Sequence, residues 1–157
     1  MIEFRTAIPN EAKLLSELAI SSKAHWGYSL EFMDACKDEL SHTPKQLRND
    51  EYIYKVAVKD ESIIGFYKLE NIHQHTILLE ALFIEPSMIG HGIGRKLFEH
   101  AKQTGAKKGA EFIEVQSDPN SEGFYKSVGM KVTGKTQSGS IAGRYLPTLK
   151  SLIANDT

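Results

Sequence analysis

The chain has 157 residues, of which 41% are hydrophobic and 25% are charged, and its formal net charge is −1. This length fits one domain, residues 1–157, and the scattered charge excludes the basic surface that nucleic acid or an anionic membrane would need. Cys36 is the only cysteine, so an internal disulfide is excluded, and the start "MIEFRTA" lacks the apolar core of a signal peptide. We therefore expect a soluble, cytoplasmic protein without a nucleic-acid or membrane partner.

The first fifty residues predict one strand and two helices. Ile2 to Arg5 alternates apolar and polar residues, as a short strand does. Pro9 suits the first position of a helix, and apolar residues then recur at helical spacing. Ser29 is a suitable N-cap for a second helix. The polar segment "SHTPKQLRND" is predicted to be a connection.

Three strand-like runs follow, at Tyr52 to Lys59, Ile63 to Glu70 and Thr76 to Ile84. Polar turns separate them, which predicts an antiparallel meander. A helix is then predicted over Ile93 to Thr104, because apolar residues repeat along one face, and Gly105 is its expected C-terminal stop.

The last part of the chain predicts a strand, a short helix and two more strands. The strand is "AEFIEVQS", and Asp118 with the proline after it forms a cap and first helical turn. The short helix closes at Gly129, and two strands surround the loop "TQSGSIAG". Pro147 should push the last strand to a sheet edge, where pairing with a second copy would give a homodimer. The order of elements predicts a mixed α/β domain.

Three glycines at alternate positions, Gly90, Gly92 and Gly94, follow the third of these runs and extend into the first turn of the predicted helix. The N–H groups of a helix N-terminus suit a phosphate, and glycines let the backbone approach it. The spacing does not fit a dinucleotide fingerprint, which would need glycine or alanine at Arg95, and a P-loop tripeptide is missing. Spacing alone leaves open an anion cradle or a tight strand-to-helix turn.

The segment "IGHGIGRKLFEHA" resembles the pyrophosphate loop and following helix of the GNAT superfamily, which transfers acetyl from acetyl-CoA to amines. The family's loop reads Gln/Arg-x-x-Gly-x-Gly/Ala; Gly92 and Gly94 match it, whereas Ile89 replaces the glutamine or arginine. The segment "DPNSEGFYKSVGM" is similar to the family's later signature at four positions, Asn120, Phe124, Tyr125 and Gly129. The resemblance implies a central, mostly antiparallel sheet of about seven strands flanked by four helices.

The resemblance also implies acetyl-CoA as the co-substrate. Backbone groups of Leu82, Phe83 and Ile84 would bind the pantetheine arm and polarise the thioester carbonyl. The remaining cofactor-binding residues would be Gly90, His91, Gly92, Ile93, Gly94, Arg95, Asn120 and Tyr125. We expect no metal, because His73 and His75 form a His-x-His without an apparent third ligand.

Acyl transfer to an amine requires a proton acceptor for the ammonium form and stabilisation of the departing thiolate. Glu80 interrupts an apolar strand, so it is the candidate base, acting directly or through water; the alternative is a structural carboxylate paired with Lys68. Tyr125 is the candidate acid, since a phenol can protonate a thiolate; the alternative is a core tyrosine packed beside Phe124.

The loop "SKAHWGYS" lies where GNAT enzymes usually build the acceptor side of the cleft, which makes His25, Trp26 and Tyr28 candidate substrate-binding residues. A tryptophan that only anchors the loop to the core is the alternative. Arg144 either binds a substrate carboxylate or holds the C-terminal hairpin. We expect direct transfer to the primary amine of a small molecule in a ternary complex, because Cys36 lies in the wrong element to carry an acetyl group. A non-catalytic acyl-CoA-binding module of the same fold is the alternative.

Overall fold

The computed structural model describes residues 1–153, so the last four residues of the predicted domain, 154–157, lie outside the described part. Its strands are β1 (Glu3–Thr6), β2 (Tyr52–Lys59), β3 (Ser62–His73), β4 (Thr76–Ile84), β5 (Phe112–Gln116), β6 (Lys131–Gln137) and β7 (Tyr145–Leu152). They form one sheet in the order β1-β2-β3-β4-β5-β7-β6. Every neighbouring pair is antiparallel except β4 and β5. The predicted mixed α/β, mostly antiparallel seven-stranded fold is confirmed.

The helices of residues 1–153 are α1 (Ala12–Ala24), α2 (Leu30–Leu40), α3 (Pro44–Arg48), α4 (Ile93–Lys107) and α5 (Glu122–Ser127). The four predicted helices are present, and the side chain of Ser29 caps α2 as predicted. The short α3 lies in the segment predicted to be a connection. Its start is a capping box, because Thr43 Oγ1 accepts from the Gln46 N–H while Gln46 Oε1 accepts from the Thr43 N–H.

Each face of the sheet has its own apolar core. On one face, here called the α4 side, helices α4 and α5 bury a set of large side chains against the sheet, among them Leu97, Phe98, Tyr125, Tyr67, Leu69 and Leu79. On the other face, the α1 side, helices α1 and α2 pack against the sheet around a second buried cluster, which includes Leu15, Leu18, Cys36, Val56, Phe66 and Ala81. Cys36 is therefore a core residue, which accounts for its place on the apolar face of α2.

The C-terminal end of α4 differs from the prediction. Gly105 lies inside the helix, and a Cβ added there would come within 3.1 Å of Ile77 and 3.2 Å of Ile153. The helix continues to Lys107, and Gly109, with a φ of +92°, adopts the left-handed conformation that ends it. Gly105 is therefore not the helix stop; it allows α4 to pack closely against the sheet.

The prediction that Pro147 pushes the last strand to an edge is also wrong. β7 lies between β5 and β6, and β6 is the edge strand. The β5–β7 ladder ends at the pair Gln116–Thr148, so the missing N–H of Pro147 falls just beyond it. The Pro147 carbonyl still accepts a hydrogen bond from the Ser117 N–H at 2.9 Å. A proline is tolerated here because its nitrogen faces β5, beyond the last pair of that ladder, while on its other side Pro147 still pairs in register with Lys135 of β6.

Strand β4 has an irregularity that positions the functional site. It pairs with β5 only from Thr76 to Leu79, after which the two strands part. On its other edge, Lys68 pairs with Ala81 and the next residue of β3 pairs with Leu79, so Glu80 is the extra residue of a β-bulge. The bulge reverses the alternation, since Leu79 faces the α4 side whereas Ala81 faces the α1 side. Splay and bulge together open the sheet between β4 and β5.

Candidate active site

The gap between β4 and β5 opens into a cleft of about 560 Å³. The end of β4, the loop before α4, helix α5 and the loops that carry Trp26 and Arg144 all contribute to its walls. A cavity of this volume lies within the usual range for small-molecule sites, and its walls mix apolar side chains with a few polar groups.

The loop at the start of α4 supplies a row of backbone donors. The six N–H groups of residues 90–95 donate to no acceptor within the described residues, and Gly92, the N-cap, has no side chain to satisfy them. Gly90 and Gly92 have φ angles of +90° and +77°, a conformation that other residues rarely adopt. Free amides at a helix N-terminus bind anions, so this loop fits the pyrophosphate of coenzyme A.

Most of the predicted loop residues line the cleft. Gly90, Gly92, Ile93, Gly94 and Arg95 contribute to its walls, whereas His91 is exposed and is not among the lining residues.

At Gly94 the lack of a side chain matters for packing. A Cβ there would approach Ile84 Cδ1 and Phe124 Cε1 at 3.0 Å, so its absence lets α4 pack closely on β4 and α5.

Leu82, Phe83 and Ile84, which are predicted to bind the cofactor, lie on the free part of β4 and line the cleft. The Glu85 N–H donates to the Ile64 carbonyl across the β3–β4 pair. Because backbone groups alternate in an antiparallel ladder, those of Leu82 and Ile84 point away from β3, toward the gap that β5 leaves. Phe83 is oriented toward β3. Two of the three predicted residues therefore offer backbone donors and acceptors to the cleft.

Tyr125 lies on α5 with its side chain in the core of the α4 side and also lines the cleft. Its ring contacts Phe124, with ring centroids 5.1 Å apart. Within the described residues, its hydroxyl makes no hydrogen bond. Burial raises the pKa of the Tyr125 phenol above its usual value, which keeps the hydroxyl protonated at neutral pH. The residue thus combines a packed ring with a free O–H donor at the cleft.

Glu80 lies at the bulge and lines the cleft, and its side chain is 38% exposed. Its Oε1 is 3.0 Å from Lys68 Nζ, and the Lys68 side chain is only 4% exposed. The ammonium of Lys68 also lies 4.1 Å from the centroid of the Tyr52 ring. The ion pair with Lys68, which was the alternative to a role as base, is therefore present, and Glu80 also lines the cleft.

Asp118 connects three segments at the mouth of the cleft. Its carboxylate accepts hydrogen bonds from Tyr28 Oη at 2.9 Å, Lys23 Nζ at 3.1 Å and Arg144 Nη2 at 3.2 Å. Burial alone would raise the pKa of Asp118, but the N–H of Asn120 and the ammonium of Lys23 outweigh it and hold the pKa below its usual value. Arg144 thus holds the β6–β7 loop against the segment that follows β5, through Asp118, and against the α1–α2 loop, through Tyr28.

The three predicted acceptor residues lie in three different places: Tyr28 belongs to this cluster, Trp26 lines the cleft, and His25 belongs to neither. The Tyr28 ring stacks on Phe32 with centroids 4.1 Å apart, and its hydroxyl accepts from the side-chain amide of Asn120 at 2.7 Å. Trp26 lines the cleft and is 47% exposed, so it does not anchor the loop to the core. His25 is exposed beside Trp26 and is not among the lining residues.

Two residues of the cleft wall were missed by sequence reasoning. Lys23 carries no local signal, because its partner Asp118 is 95 residues away. His42 is buried and lines the cleft, yet it lies in a segment read only as polar connection. The capping box that follows it could have revealed the helix, but its burial depends on distant contacts.

The splayed sheet, with a helix N-terminus facing the gap, defines the class of protein: an acyltransferase of the GNAT fold. The family model described as "Acetyltransferase (GNAT) domain" matches residues 16–140. The chain therefore belongs to the GNAT acetyltransferase family.

Two curated relatives differ in how much of the chain they match. The chain is 35% identical over 91 residues to peptidyl-lysine N-acetyltransferase YjaB of Escherichia coli (strain K12). That match covers 57% of this chain and 57% of the relative, little more than half of each. The chain is 26% identical over 140 residues to 5-NmdU N-acetyltransferase of Pseudomonas phage PaMx11, covering 88% of this chain and 94% of the relative.

Solved structures show the same fold. The PaiA N-acetyltransferase of Thermoplasma acidophilum, solved in complex with coenzyme A, superposes with a TM-score of 0.78 at 23% identity. This match covers 97% of the present chain and 99% of the other. An aminoglycoside 6'-N-acetyltransferase solved with coenzyme A has a TM-score of 0.71 at 17% identity, with 99% of both chains covered. At these identities the likeness establishes the fold alone.

Within residues 1–153, no three or more His, Cys, Asp or Glu side chains are grouped so that they could hold a metal ion. None of the described helices is long and apolar enough to cross a membrane.

Proposed function

We propose that this protein transfers the acetyl group of acetyl-CoA directly to the primary amine of a small molecule. The observation that carries the proposal is the arrangement of the cleft. At its α4 end lie six backbone N–H groups that find no acceptor among residues 1–153, the free edge of β4 follows, and Tyr125, whose hydroxyl has no partner in the same range, lines the same space. Membership of the GNAT acetyltransferase family supports this reading.

When bound, acetyl-CoA would supply an activated acetyl thioester. Residues 90–95 would hold the pyrophosphate through their N–H groups, with Arg95 and Asn120 at the cleft wall nearby. The backbone of Leu82 and Ile84 would bind the pantetheine amides and donate to the thioester carbonyl as negative charge develops on it. The departure from the family at Ile89 removes a side-chain contact but leaves the backbone donors intact.

Two side chains would move protons. Glu80, exposed to the cleft from its bulge, would take the proton of the incoming ammonium, either directly or through water. Its ion pair with Lys68 fixes the carboxylate in place. Tyr125, protonated and without a hydrogen-bond partner in the described residues, would donate to the departing thiolate.

The acceptor would enter from the α1 side, past Trp26 and the loop that carries His25 and Tyr28. An exposed indole at the cleft wall would stack on a ligand or shield it from water. We propose a small-molecule acceptor, which would reach the thioester through the part of this cleft that acetyl-CoA leaves open. A cytoplasmic location and a homodimer that pairs edge strand β6 belong to the same proposal.

An amine panel tests the proposal. The purified protein is incubated with acetyl-CoA and 2-aminoethanol, propylamine, cadaverine, L-lysinamide, spermidine or a lysine-containing peptide, and free thiol is measured. Amine-dependent thiol release supports acetyl transfer. Tight acetyl-CoA binding without release from any amine would favour the non-catalytic module, and release with the peptide alone would overturn the small-molecule acceptor.

A further inference from the structure

His42 lies between α2 and α3 and reaches the cleft from the α1 side. Its main chain is tied to α1, because the His42 N–H donates to Ser16 Oγ at 2.7 Å and Ser16 Oγ donates to the His42 carbonyl at 3.1 Å. Its ring meets Tyr54 and Phe66 edge-on, each with a centroid distance of 5.4 Å. Only 7% of the residue is exposed, so the ring is held in one position.

One nitrogen of this ring has no partner. Nδ1 lies 2.8 Å from the hydroxyl of Tyr54, whereas Nε2 is buried and makes no hydrogen bond. Among the buried side-chain nitrogen and oxygen atoms of residues 1–153, it is the one without a partner. Unpaired buried polar atoms are costly and uncommon in folded proteins, and they often mark functional positions. His42 is also among the residues that line the cleft, so a ligand bound there is a candidate partner for Nε2.

The hydrogen-bond pattern assigns the tautomer. Burial, and next the charge of Lys68, lower the pKa of His42 to about 4, so the ring is neutral at pH 7 and carries one hydrogen. Burial raises the pKa of Tyr54, which therefore keeps its hydroxyl hydrogen. The only acceptor for that hydrogen in the described residues is His42 Nδ1. The ring hydrogen then resides on Nε2, which makes Nε2 a donor.

We propose that His42 Nε2–H donates a hydrogen bond to an oxygen of the acceptor molecule, which makes His42 a residue that determines acceptor specificity. The inference rests on the proposed function, since it concerns the acceptor of the same reaction. The oxygen is a hydroxyl or carbonyl close to the reacting amine, so amino alcohols and amino amides are preferred over alkylamines. Nε2 is covered by neighbouring side chains, and a rotamer change on binding, common at binding sites, opens access to it.

Matched substrates and variants provide the kinetic test. 2-Aminoethanol is compared with propylamine, and L-lysinamide with cadaverine, so that each pair differs in the presence of oxygen. The wild type should favour the oxygenated amine by about three- to tenfold in kcat/KM, the effect of one hydrogen bond. His42→Asn keeps a polar atom for Tyr54 but loses Nε2, and it should abolish the preference by raising the KM of the oxygenated amine. His42→Gln places an amide near the position of Nε2 and should restore part of the preference.

His100→Asn is the matched control. His100 also pairs through Nδ1 with a tyrosine hydroxyl, at 2.7 Å from Tyr67, but it is not among the cleft residues. This variant should keep the substrate preference of the wild type. An unchanged preference in His42→Asn would overturn the inference.

A second readout does not depend on turnover. Side-chain ¹⁵N spectra of histidine-labelled protein, assigned by the signal lost in His42→Asn, should show the Nε2–H tautomer. Adding coenzyme A with 2-aminoethanol or L-lysinamide should shift that Nε2 resonance. If no amine supports thiol release, the proposed function fails, and the same titration still decides the binding role of His42. A resonance that neither amine shifts would overturn it.

Discussion

Tyr125 has a structural and a proposed catalytic role, because its ring is part of the core while its hydroxyl faces the cleft. Tyr125→Phe removes one oxygen and leaves the ring packing intact. We expect kcat to fall by about 10²- to 10⁴-fold, because help to the leaving group acts in the transition state. Steady-state kinetics with an acceptor from the panel would measure this.

Acetyl-CoA affinity, measured by calorimetry, should change in Tyr125→Phe by about 1 kcal/mol or less. Tyr67→Phe is the matched control, since Tyr67 is buried on the same side of the sheet but is not among the cleft residues. It should lose stability and keep its kcat. A Tyr125→Phe variant with unchanged kcat would return this residue to a purely structural role.

Glu80 is expected to contribute to stability, through its ion pair with Lys68, and to catalysis, as the base. Two measurements on the variant Glu80→Gln separate these contributions. In Glu80→Gln, the buried ammonium of Lys68 loses its anionic partner, so the free energy of unfolding should fall by about 1–3 kcal/mol. If Glu80 is also the base, turnover should fall strongly near pH 7 and recover in part at high pH, where more amine is already neutral. Urea unfolding and a pH–rate profile measure the two effects.

Glu114→Gln is the control for Glu80, because Glu114 also lies on a strand of the sheet, β5, but is not among the cleft residues. It should keep the pH–rate profile of the wild type. Wild-type rates for Glu80→Gln at every pH would exclude Glu80 as the base and leave only the ion pair.

The buried His42 makes stability depend on pH. Its pKa is lowered to about 4 in the folded protein from 6.5, so between these values the unfolded chain binds a proton that the folded chain does not. Stability should therefore fall as the pH drops from 6.5 toward 4, by up to about 3 kcal/mol. Urea unfolding at pH 7 and pH 5 should show a smaller loss in His42→Asn than in the wild type. Equal losses in both proteins would contradict the burial of a neutral His42.

Among single residues, those within a local pattern were predictable and those that depend on distant contacts were not. The cleft glycines and Tyr125 stand in short motifs that resemble those of GNAT enzymes, so their place beside the cleft could be expected from the sequence. His42 and Lys23 depend on Tyr54, Ser16 and Asp118, which the fold brings to them from elsewhere. The burial that gives His42 its properties cannot be read from its polar neighbours in sequence.

The elements around the cleft mouth are joined by one carboxylate. Asp118 follows β5 and links α1 through Lys23, the α1–α2 loop through Tyr28 and the β6–β7 loop through Arg144. It also caps the turn before α5 by accepting from the Asn120 N–H. Asparagine is an equally good cap, so Asp118→Asn removes the charge and keeps the turn.

We expect Asp118→Asn to lose about 1–3 kcal/mol of stability, because two partly buried cations lose their partner. Amides of residues 24–29 and 138–144 should exchange hydrogen faster, as measured by mass spectrometry, since both loops are released together. Glu122→Gln, which removes a surface pair with Lys126, should change neither quantity. Unchanged exchange in both loops of Asp118→Asn would show that the cluster does not hold them.

Element bounds were predictable where the apolar pattern was strong. Strands β2 and β4 have the predicted bounds, since their apolar runs are flanked by clear turns. The errors concern Gly105, Pro147 and α3, where a residue that usually ends an element is tolerated by packing or by its position in the ladder. The bulge at Glu80 was also missed, because it depends on the register with β3 and not on the sequence of β4.

At the scale of the whole molecule, the sheet is continuous except where β4 and β5 separate and form the cleft. The antiparallel meander ends with β4, and the parallel neighbour β5 diverges after Leu79. Helix α4 begins at this opening, and its first N–H groups have no acceptor in the part of the chain that the structure describes. Three features far apart in sequence thus meet at one cleft: the edge of β4, the glycine loop and Tyr125. An acyl-CoA bound there would lie between the α4 end and the acceptor side.

Backbone amide spectra recorded during a titration with acetyl-CoA test this arrangement most directly, because they need no substitution in a loop where glycines also serve packing. ¹⁵N-labelled protein should show its largest shifts at residues 90–95, at Leu82 and Ile84, and near Tyr125. The amides of β1 and β6, at the far edges of the sheet, should change little. Saturable binding that shifts other surfaces while residues 90–95 stay unchanged would contradict the assignment of this cleft to acetyl-CoA.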